Sequence, residues 1–420
     1  MSKYIINGGV KLKGKIKLSG NKNSILPCMA ACLLTEEEVI LKNVPWIADV
    51  EIFLQIFDYL GVNVEKNDHQ LKLKSRKISK TVIPEELGIR LRASILLLGP
   101  LLSRLGKIEF SHPGGDVIGK RSIETHLDGL KKLGFDTKTS DRKYKININK
   151  GVVKENKEIF LDEASVTATE NLVLASVISN RTTTIKNCAM EPHVVDLCDL
   201  LIKMGAKIHG IGTPILVITG VAKLGGAEFT IGSDHIEFGT FAIAAALTCG
   251  EIEIEKDYLP DVSCIICNLE KIGLIFKEKE NSIISSCASP KAIHNLKVAL
   301  WPGFPTDMMS LIIVLATQAK GVSLLHDWMY ETRMYFVDKL IAMGAEITVA
   351  DPHRVLVYGP TKLHSRNLET PDIRAGMALV LAALVAEGQS VIDRAELIER
   401  GYEGVVEKLA SLGADIQKVD

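Results

Sequence analysis

Three cations stand where electrostatics disfavours them. Lys22, Arg92 and Arg374 each sit just before or at the start of an apolar, helix-like run. A helix N-terminus already carries about half a positive charge and unpaired N–H groups. A cation there costs a few tenths to about 1 kcal/mol. Because the three recur at equivalent places, they predict helix starts that converge on an anionic ligand, stabilised by dipole and side chain together. Arginine favours bidentate pairing with carboxylate or phosphate, so the ligand class is phosphorylated or carboxylated. The remaining equivalent starts read Ser165-Val166-Thr167, Glu237-Phe238-Gly239 and Thr306-Asp307. Asn23 and Asp307 have the residue types of helix caps.

Two loops add candidates. The stretch HPGGDVIGKRSIETH (112–126) carries Asp116 at its tip and Lys120-Arg121 at its base. It nearly matches a phosphate-binding loop, Gly114-x4-Gly119-Lys120, but Arg121 stands where a Ser or Thr would hold magnesium. That departure removes the metal ligand. The second loop, DRAELIERGYEG, ends on Arg400-Gly401-Tyr402.

The elements that must position these residues repeat six times. An apolar run, then Gly, then a β-prone run recurs around Gly61, Gly134, Gly205, Gly273, Gly344 and Gly413, at separations of 73, 71, 68, 71 and 69 residues. Glycine fits there because a helix commonly ends on a left-handed residue. Each unit also holds a helix apolar on nearly every face, which belongs inside a core. The six are Ser24–Leu34, Ala93–Leu105, Ala168–Ser179, Thr240–Cys249, Met308–Ala319 and Ala375–Ala386. A β-prone run follows each. Units of this size exceed solenoid repeats and predict a compact α/β architecture with three copies per domain.

Composition closes off several classes. Fifty Lys and Arg against 51 Asp and Glu leave a net charge of -1 over 420 residues, unlike a dedicated nucleic-acid binder. The opening MSKYIINGGVKLKGKIKLSG has no apolar signal-peptide core. The longest apolar stretches, such as Met377 to Ala386, fall short of the roughly 18 residues a membrane span needs. A soluble cytoplasmic protein is expected. The eight cysteines read as buried, reduced thiols; Cys264-x-x-Cys267 has half of a zinc spacing with no second half.

Taken in order, SGNKNSILP (19–27), LRAS (91–94), PGGDVIGKR (113–121), FPTDM (304–308), ETR (331–333), DIRAG (372–376) and RGYE (400–403) resemble the UDP-N-acetylglucosamine enolpyruvyl transferases. The resemblance runs from about Lys11 to the C-terminus. It implies a two-domain inside-out α/β barrel, six copies of a βαβαββ-type unit, with residues 22–232 and loop 112–126 in one domain. Residues 1–21 with 233–420 form the other, and the implied active site lies in the cleft. The implied reaction transfers enolpyruvyl from phosphoenolpyruvate to the 3′-hydroxyl of UDP-N-acetylglucosamine, releasing phosphate. That reaction is the first committed step of peptidoglycan synthesis, on which cell-wall biogenesis, cell shape and division depend. Neither metal nor organic cofactor is implied. The partners are these two small molecules, with no nucleic acid or membrane, and the protein acts as a monomer or weak homo-oligomer.

By the same resemblance, Lys22, Arg92, Arg121, Arg333, Arg374 and Arg400 hold phosphoenolpyruvate. Of these, Lys22, Arg121 and Arg400 face the phosphate, and Arg333 and Arg374 the carboxylate. Asp307 is the base. The nucleotide-sugar set is Asn23, Arg92, Arg121, Ser165, Val166, Thr167, Asp234, Thr306, Asp307 and Met329. The catalytic set is Asp116, Asp307, Lys22 and Arg400.

The chain departs from that family at several positions. Asp116 stands where a cysteine is usual; that thiolate is the group fosfomycin alkylates, so insensitivity to fosfomycin is expected. A carboxyl donates a proton only while protonated, and an ordinary aspartate is ionised at pH 7. Asn21, Thr167, His235, Phe238, Met309 and Thr332 replace the usual Ala, Gly, Arg, small residue, Gln and Asn. Thr167 adds bulk where backbone N–H groups would approach the diphosphate. These changes keep two other readings open: a paralogue acting on a different UDP-sugar or nucleotide, and a homologue that binds without turnover.

Overall fold

The computed structural model describes residues 2–116, 118–119, 121–149 and 155–419. Lys120, expected at the base of loop 112–126, lies outside them. All six apolar runs are helical, as Lys22–Ala31, Leu98–Leu105, Val166–Ser176, His235–Leu247, Met309–Thr317 and Ile373–Val385, several entered or left through a short 3₁₀ turn. Every residue of His235–Leu247 and of Met309–Thr317 is buried. The strand after each alternates instead, one face buried and the other not, as in Glu38–Lys42 and Glu251–Glu255. A helix buried all round must lie inside, and a half-buried sheet outside. Helices therefore form the centre and sheets the wall, the reverse of an ordinary barrel.

The strands of the described residues form six small sheets, five of four strands and one of three. In each four-stranded sheet, the strand leaving the buried helix pairs parallel on one side and antiparallel on the other. Glu38–Lys42, for example, pairs parallel with Ala227–Thr230 and antiparallel with Gln70–Lys74. In the three-stranded sheet, a single parallel bridge from Val82 to Glu109 stands in place of the missing strand. Chain ends complete distant sheets: Lys3–Asn7 sits between Gln389–Asp393 and Asp415–Val419. All six repeat glycines have positive φ, from +83° at Gly61 to +104° at Gly205 and Gly344, the left-handed conformation that stops a helix at little steric cost.

Two compact units result, made of the described residues of Met1–Ser19, Asp116–Lys120 and Ser233–Asp420, and of Gly20–Gly115 and Arg121–Gly232. Each has its own apolar core built around three buried helices. The division falls between Ser19 and Gly20 rather than after residue 21. The reason is local: the Asn21 N–H donates to the Gly232 carbonyl at 2.8 Å, tying Asn21 to the second unit. The described residues at the tip of loop 112–126 group with the first unit and not with the loop's flanks, and Asp116 pairs there with Arg400.

Five cysteines are buried, and no thiol is in a disulfide; Cys249 and Cys267 are exposed and Cys264 is half-buried. Among the described residues no set of three or more His, Cys, Asp or Glu gathers as a metal site, and no helix is long and apolar enough to cross a membrane.

One core residue carries a pH signature. Glu170 is 1% exposed, and its Oε1 has no hydrogen-bond partner. Burial, and then the neighbouring Glu191, pushes its carboxyl well above the usual range. The folded state thus keeps a proton that the unfolded chain releases near pH 4 to 5, so this group's contribution to stability falls as pH rises. Glu170→Gln removes that dependence. In urea unfolding the variant is expected to be at least as stable as the parent at pH 8, with the advantage shrinking towards pH 4.

Candidate functional site

The first unit gathers its candidates around Asp307. Asp307 enters the 3₁₀ turn Thr306–Met308 without capping it, contrary to the expectation from its residue type. Its carboxylate is engaged elsewhere: Arg333 Nη2 donates to Oδ1 at 3.1 Å and Arg374 Nε to Oδ2 at 3.0 Å. Both arginines are almost completely buried, at 3% and 6% exposure. Burial disfavours the Arg333 cation, but Asp307 and Asp327 outweigh it and hold the guanidinium charged. The same balance holds Arg374, with Asp307 as its main partner and the Tyr402 ring 5.1 Å away. Arg374 opens its helix beside a true cap, Asp372, whose side chain accepts from the Arg374 and Ala375 N–H groups. That anion offsets the clash between cation and helix dipole.

A second, fully buried carboxylate supports the first. Asp327 accepts from the Thr306 hydroxyl and from the Met329 N–H, the latter at 2.9 Å, and lies 3.6 Å from Arg333 Nε. Thr306 and Met329 are therefore tied to the Asp307 cluster through Asp327. Arg400 and Asp116 form their own pair, Nη1 to Oδ1 at 2.9 Å. Asp234 caps His235–Leu247 and accepts from the Ile236 and Glu237 N–H groups. Glu237 is buried and pairs with Lys408 at 2.5 Å, while also accepting from the Ser19 N–H at 2.7 Å. Of the residues that depart from the family, His235 packs edge-on against Trp301 at 5.4 Å, and Phe238 and Met309 are core residues.

The second unit holds the other cations. Asn21, and not Asn23, caps Lys22–Ala31: its side chain accepts from the Asn23 and Ser24 N–H groups. Asn23 lies inside the first turn, where its side chain is not needed by the helix. Lys22 Nζ is 2.7 Å from Asp49 Oδ2, a carboxylate only 1% exposed. Arg92 donates to the Ser122 carbonyl at 2.9 Å. Ser165 caps Val166–Ser176, and Thr167 meets the ring of His126 at 3.1 Å. Arg121 is half-buried.

In the first unit Thr306, Asp307, Met329, Arg333 and Arg374 are thus joined through Asp307 and Asp327, whereas in the second unit Lys22, Arg92 and Thr167 each have a separate local partner. The sequence reading missed Asp49, Asp327, His126 and Lys408. Nothing in the sequence singles them out: Asp49, His126 and Lys408 lie in helices that carry other charges, and Asp327 follows the strand Gly321–His326.

Lys22 is separable by experiment from its partner. Lys22→Ala takes from the buried Asp49 carboxylate this cation, a loss of about 3 kcal/mol in stability for a broken buried pair. Lys22→Ala with Asp49→Asn should recover most of that stability by thermal unfolding and none of the activity.

A family profile described as EPSP synthase (3-phosphoshikimate 1-carboxyvinyltransferase) matches residues 6–409. The chain belongs to that enolpyruvyl transferase family. Within the family its relatives carry a narrower name. A protein of Borreliella burgdorferi, called UDP-N-acetylglucosamine 1-carboxyvinyltransferase, is 48% identical over 100% of this chain and 99% of its own. Proteins of the same name from Treponema denticola and Bradyrhizobium diazoefficiens are 46% and 44% identical, each over 99% of this chain and 99% and 98% of their own. The solved enolpyruvyl transferase NikO from Streptomyces tendae superposes with a TM-score of 0.88 at 23% identity, covering 100% of this chain and 99% of NikO. EPSP synthase from Acinetobacter baumannii gives 0.76 at 18% identity, covering 100% of both chains. These two establish the two-domain inside-out fold.

Proposed function

We propose that this enzyme transfers the enolpyruvyl group of phosphoenolpyruvate to the 3′-hydroxyl of UDP-N-acetylglucosamine, releasing phosphate, in peptidoglycan synthesis. The observation that carries the reading is Asp307 held between two buried arginines from separate repeats. Phosphoenolpyruvate brings a carboxylate and a phosphate, and Arg333 and Arg374 match the carboxylate. Lys22, Arg92, Arg121 and Arg400 are assigned to its phosphate and to the diphosphate of the acceptor.

In the addition step, the sugar oxygen bonds to C2 of phosphoenolpyruvate, Asp307 takes the hydroxyl proton, and C3 gains a proton. Asp116, in its protonated form, is assigned the proton donation at C3. In the elimination step, C3 loses a proton and the C2–O bond to phosphate breaks, with the electron pair leaving on phosphate. Arginines already fixed in place stabilise the charge that builds in the tetrahedral intermediate without reorganising. Asn23, Ser165, Val166, Thr167, Asp234, Thr306 and Met329 are assigned to the nucleotide sugar. The reading also carries a cytoplasmic location and a monomeric or weakly associating state.

The test is phosphate release from phosphoenolpyruvate with UDP-N-acetylglucosamine, then with other nucleotide sugars and shikimate 3-phosphate. Release dependent on UDP-N-acetylglucosamine is expected. Faster release with another acceptor would reassign the substrate, and no release with any would leave a binding protein.

A further inference from the structure

Three elements of the first unit meet around Tyr402: the helix His235–Leu247, the helix Ile373–Val385 and the segment that follows the 3₁₀ turn Ala395–Arg400. Thr240, fully buried in the first of these, donates its hydroxyl proton to the Ile236 carbonyl at 2.7 Å, and a carbonyl can only accept. Its oxygen also lies 2.9 Å from the Tyr402 hydroxyl. With the Thr240 proton already engaged, Tyr402 must be the donor of that second bond. Burial pushes the Tyr402 phenol above its usual range, so this proton stays in place at neutral pH. The Tyr402 oxygen is left with acceptor capacity only. Its neighbour is the Arg374 guanidinium, whose Cζ lies 5.1 Å from the centre of the Tyr402 ring and whose charge the hydroxyl favours.

Arg374 is thereby held on two sides. Its Nε donates to Asp307 at 3.0 Å, and its guanidinium meets Tyr402. Its Nη1 is buried and has no hydrogen-bond partner among the described residues. A buried donor left unpaired is costly, so its orientation has to be imposed by other contacts. The bond from Nε to Asp307 fixes one edge of the guanidinium and leaves the plane free to swing about it. Tyr402 removes that freedom. We propose that Tyr402 is a positioning residue for enolpyruvyl transfer: with its hydroxyl direction set by Thr240, it holds the Arg374 guanidinium in the orientation that leaves Nη1 for the carboxylate of phosphoenolpyruvate. The proposal rests on the enolpyruvyl-transfer reading for the identity of that carboxylate. Tyr402 itself needs no contact with either substrate.

Tyr402→Phe keeps the ring and deletes the hydroxyl. In the release assay it is expected to raise KM for phosphoenolpyruvate about tenfold, the scale of one hydrogen bond to a charged group. KM for the nucleotide sugar and kcat should stay near the parent. Thr240→Val, which frees the Tyr402 proton to turn, should move KM for phosphoenolpyruvate the same way, and Thr240→Ser should not. Adding Thr240→Val to Tyr402→Phe should cost no more than Tyr402→Phe alone, because both act through one hydroxyl. Nitrogen-15 NMR reads the guanidinium directly, its signals assigned by their loss in Arg374→Lys. Rotation about the Arg374 Nε–Cζ bond is expected to be slow in the parent and to quicken in Tyr402→Phe. An unchanged KM for phosphoenolpyruvate in Tyr402→Phe overturns the proposal, and so do equal rises in both KM values. A multiplied loss in the double variant overturns it too, as does a serine variant as poor as valine. Unchanged rotation in Tyr402→Phe sinks it whatever the kinetics. A parent that releases no phosphate with any acceptor overturns the enolpyruvyl-transfer reading, and the NMR then decides by itself whether Tyr402 positions Arg374.

Discussion

Asp307→Asn is expected to lower phosphate release by two to four orders of magnitude while leaving the first unit folded. Asparagine has nearly the same shape and keeps one acceptor oxygen, so one of the two arginine contacts survives. What is lost is the charge that Arg333 and Arg374 share, together with the group able to take a proton. A positioned general base contributes about 10² to 10⁴ in rate. The measurement is kcat in the release assay, with circular dichroism and thermal unfolding in parallel. Turnover within a few-fold of the parent would remove Asp307 from the proton transfer. Unfolding of Asp307→Asn would show instead that two buried guanidinium groups require the anion for stability. The two outcomes separate cleanly, because Arg374→Lys perturbs the same cluster from the other side. Lysine keeps the charge but loses the planar fork that meets a carboxylate edge-on, so that variant should fold and lose activity chiefly through KM for phosphoenolpyruvate.

Fosfomycin should leave this protein unmodified. Opening the epoxide needs a good nucleophile at the tip of loop 112–126, and a thiolate is one. Here the tip presents Asp116, whose Oδ1 lies 2.9 Å from Arg400 Nη1. A carboxylate is the weaker nucleophile, and this one already accepts from a guanidinium. Intact-mass spectrometry after prolonged incubation is expected to show the parent mass alone, and Asp116→Cys should gain a single stoichiometric adduct. An adduct on the parent that disappears in Asp116→Asn would overturn the expectation. Asp116→Asn also tests the role assigned in catalysis. If Asp116 delivers the proton to C3, its amide should lose turnover on the scale of a general acid, whereas loss confined to KM would make it a partner of Arg400 only.

The sequence by itself determined the repeat, the buried helices and the helix stops, because these are local. A helix apolar on all faces must be interior wherever it sits, and a left-handed stop asks for glycine whatever lies around it. Thus Gly205 and Gly344 take φ of +104° in different units. The positions of the cations were legible for the same reason: a charge at a helix start is a matter of neighbours along the chain.

Their partners were not legible. Asp307 and Arg374 are 67 residues apart, and Lys22 and Asp49 lie on successive helices of one unit. Nothing in either local sequence says which carboxylate will face which cation. Asn23 and Asp307 show the limit clearly. Both have good capping types, yet Asn21 takes the first cap and Asp307 is drawn off by two arginines. Capping is worth about 1 kcal/mol, and a buried guanidinium left without an anion costs about 3 to 5 kcal/mol. Buried guanidinium groups and their anions meet only in the folded chain, and so tertiary structure overrides the local preference at the residues that matter most for chemistry.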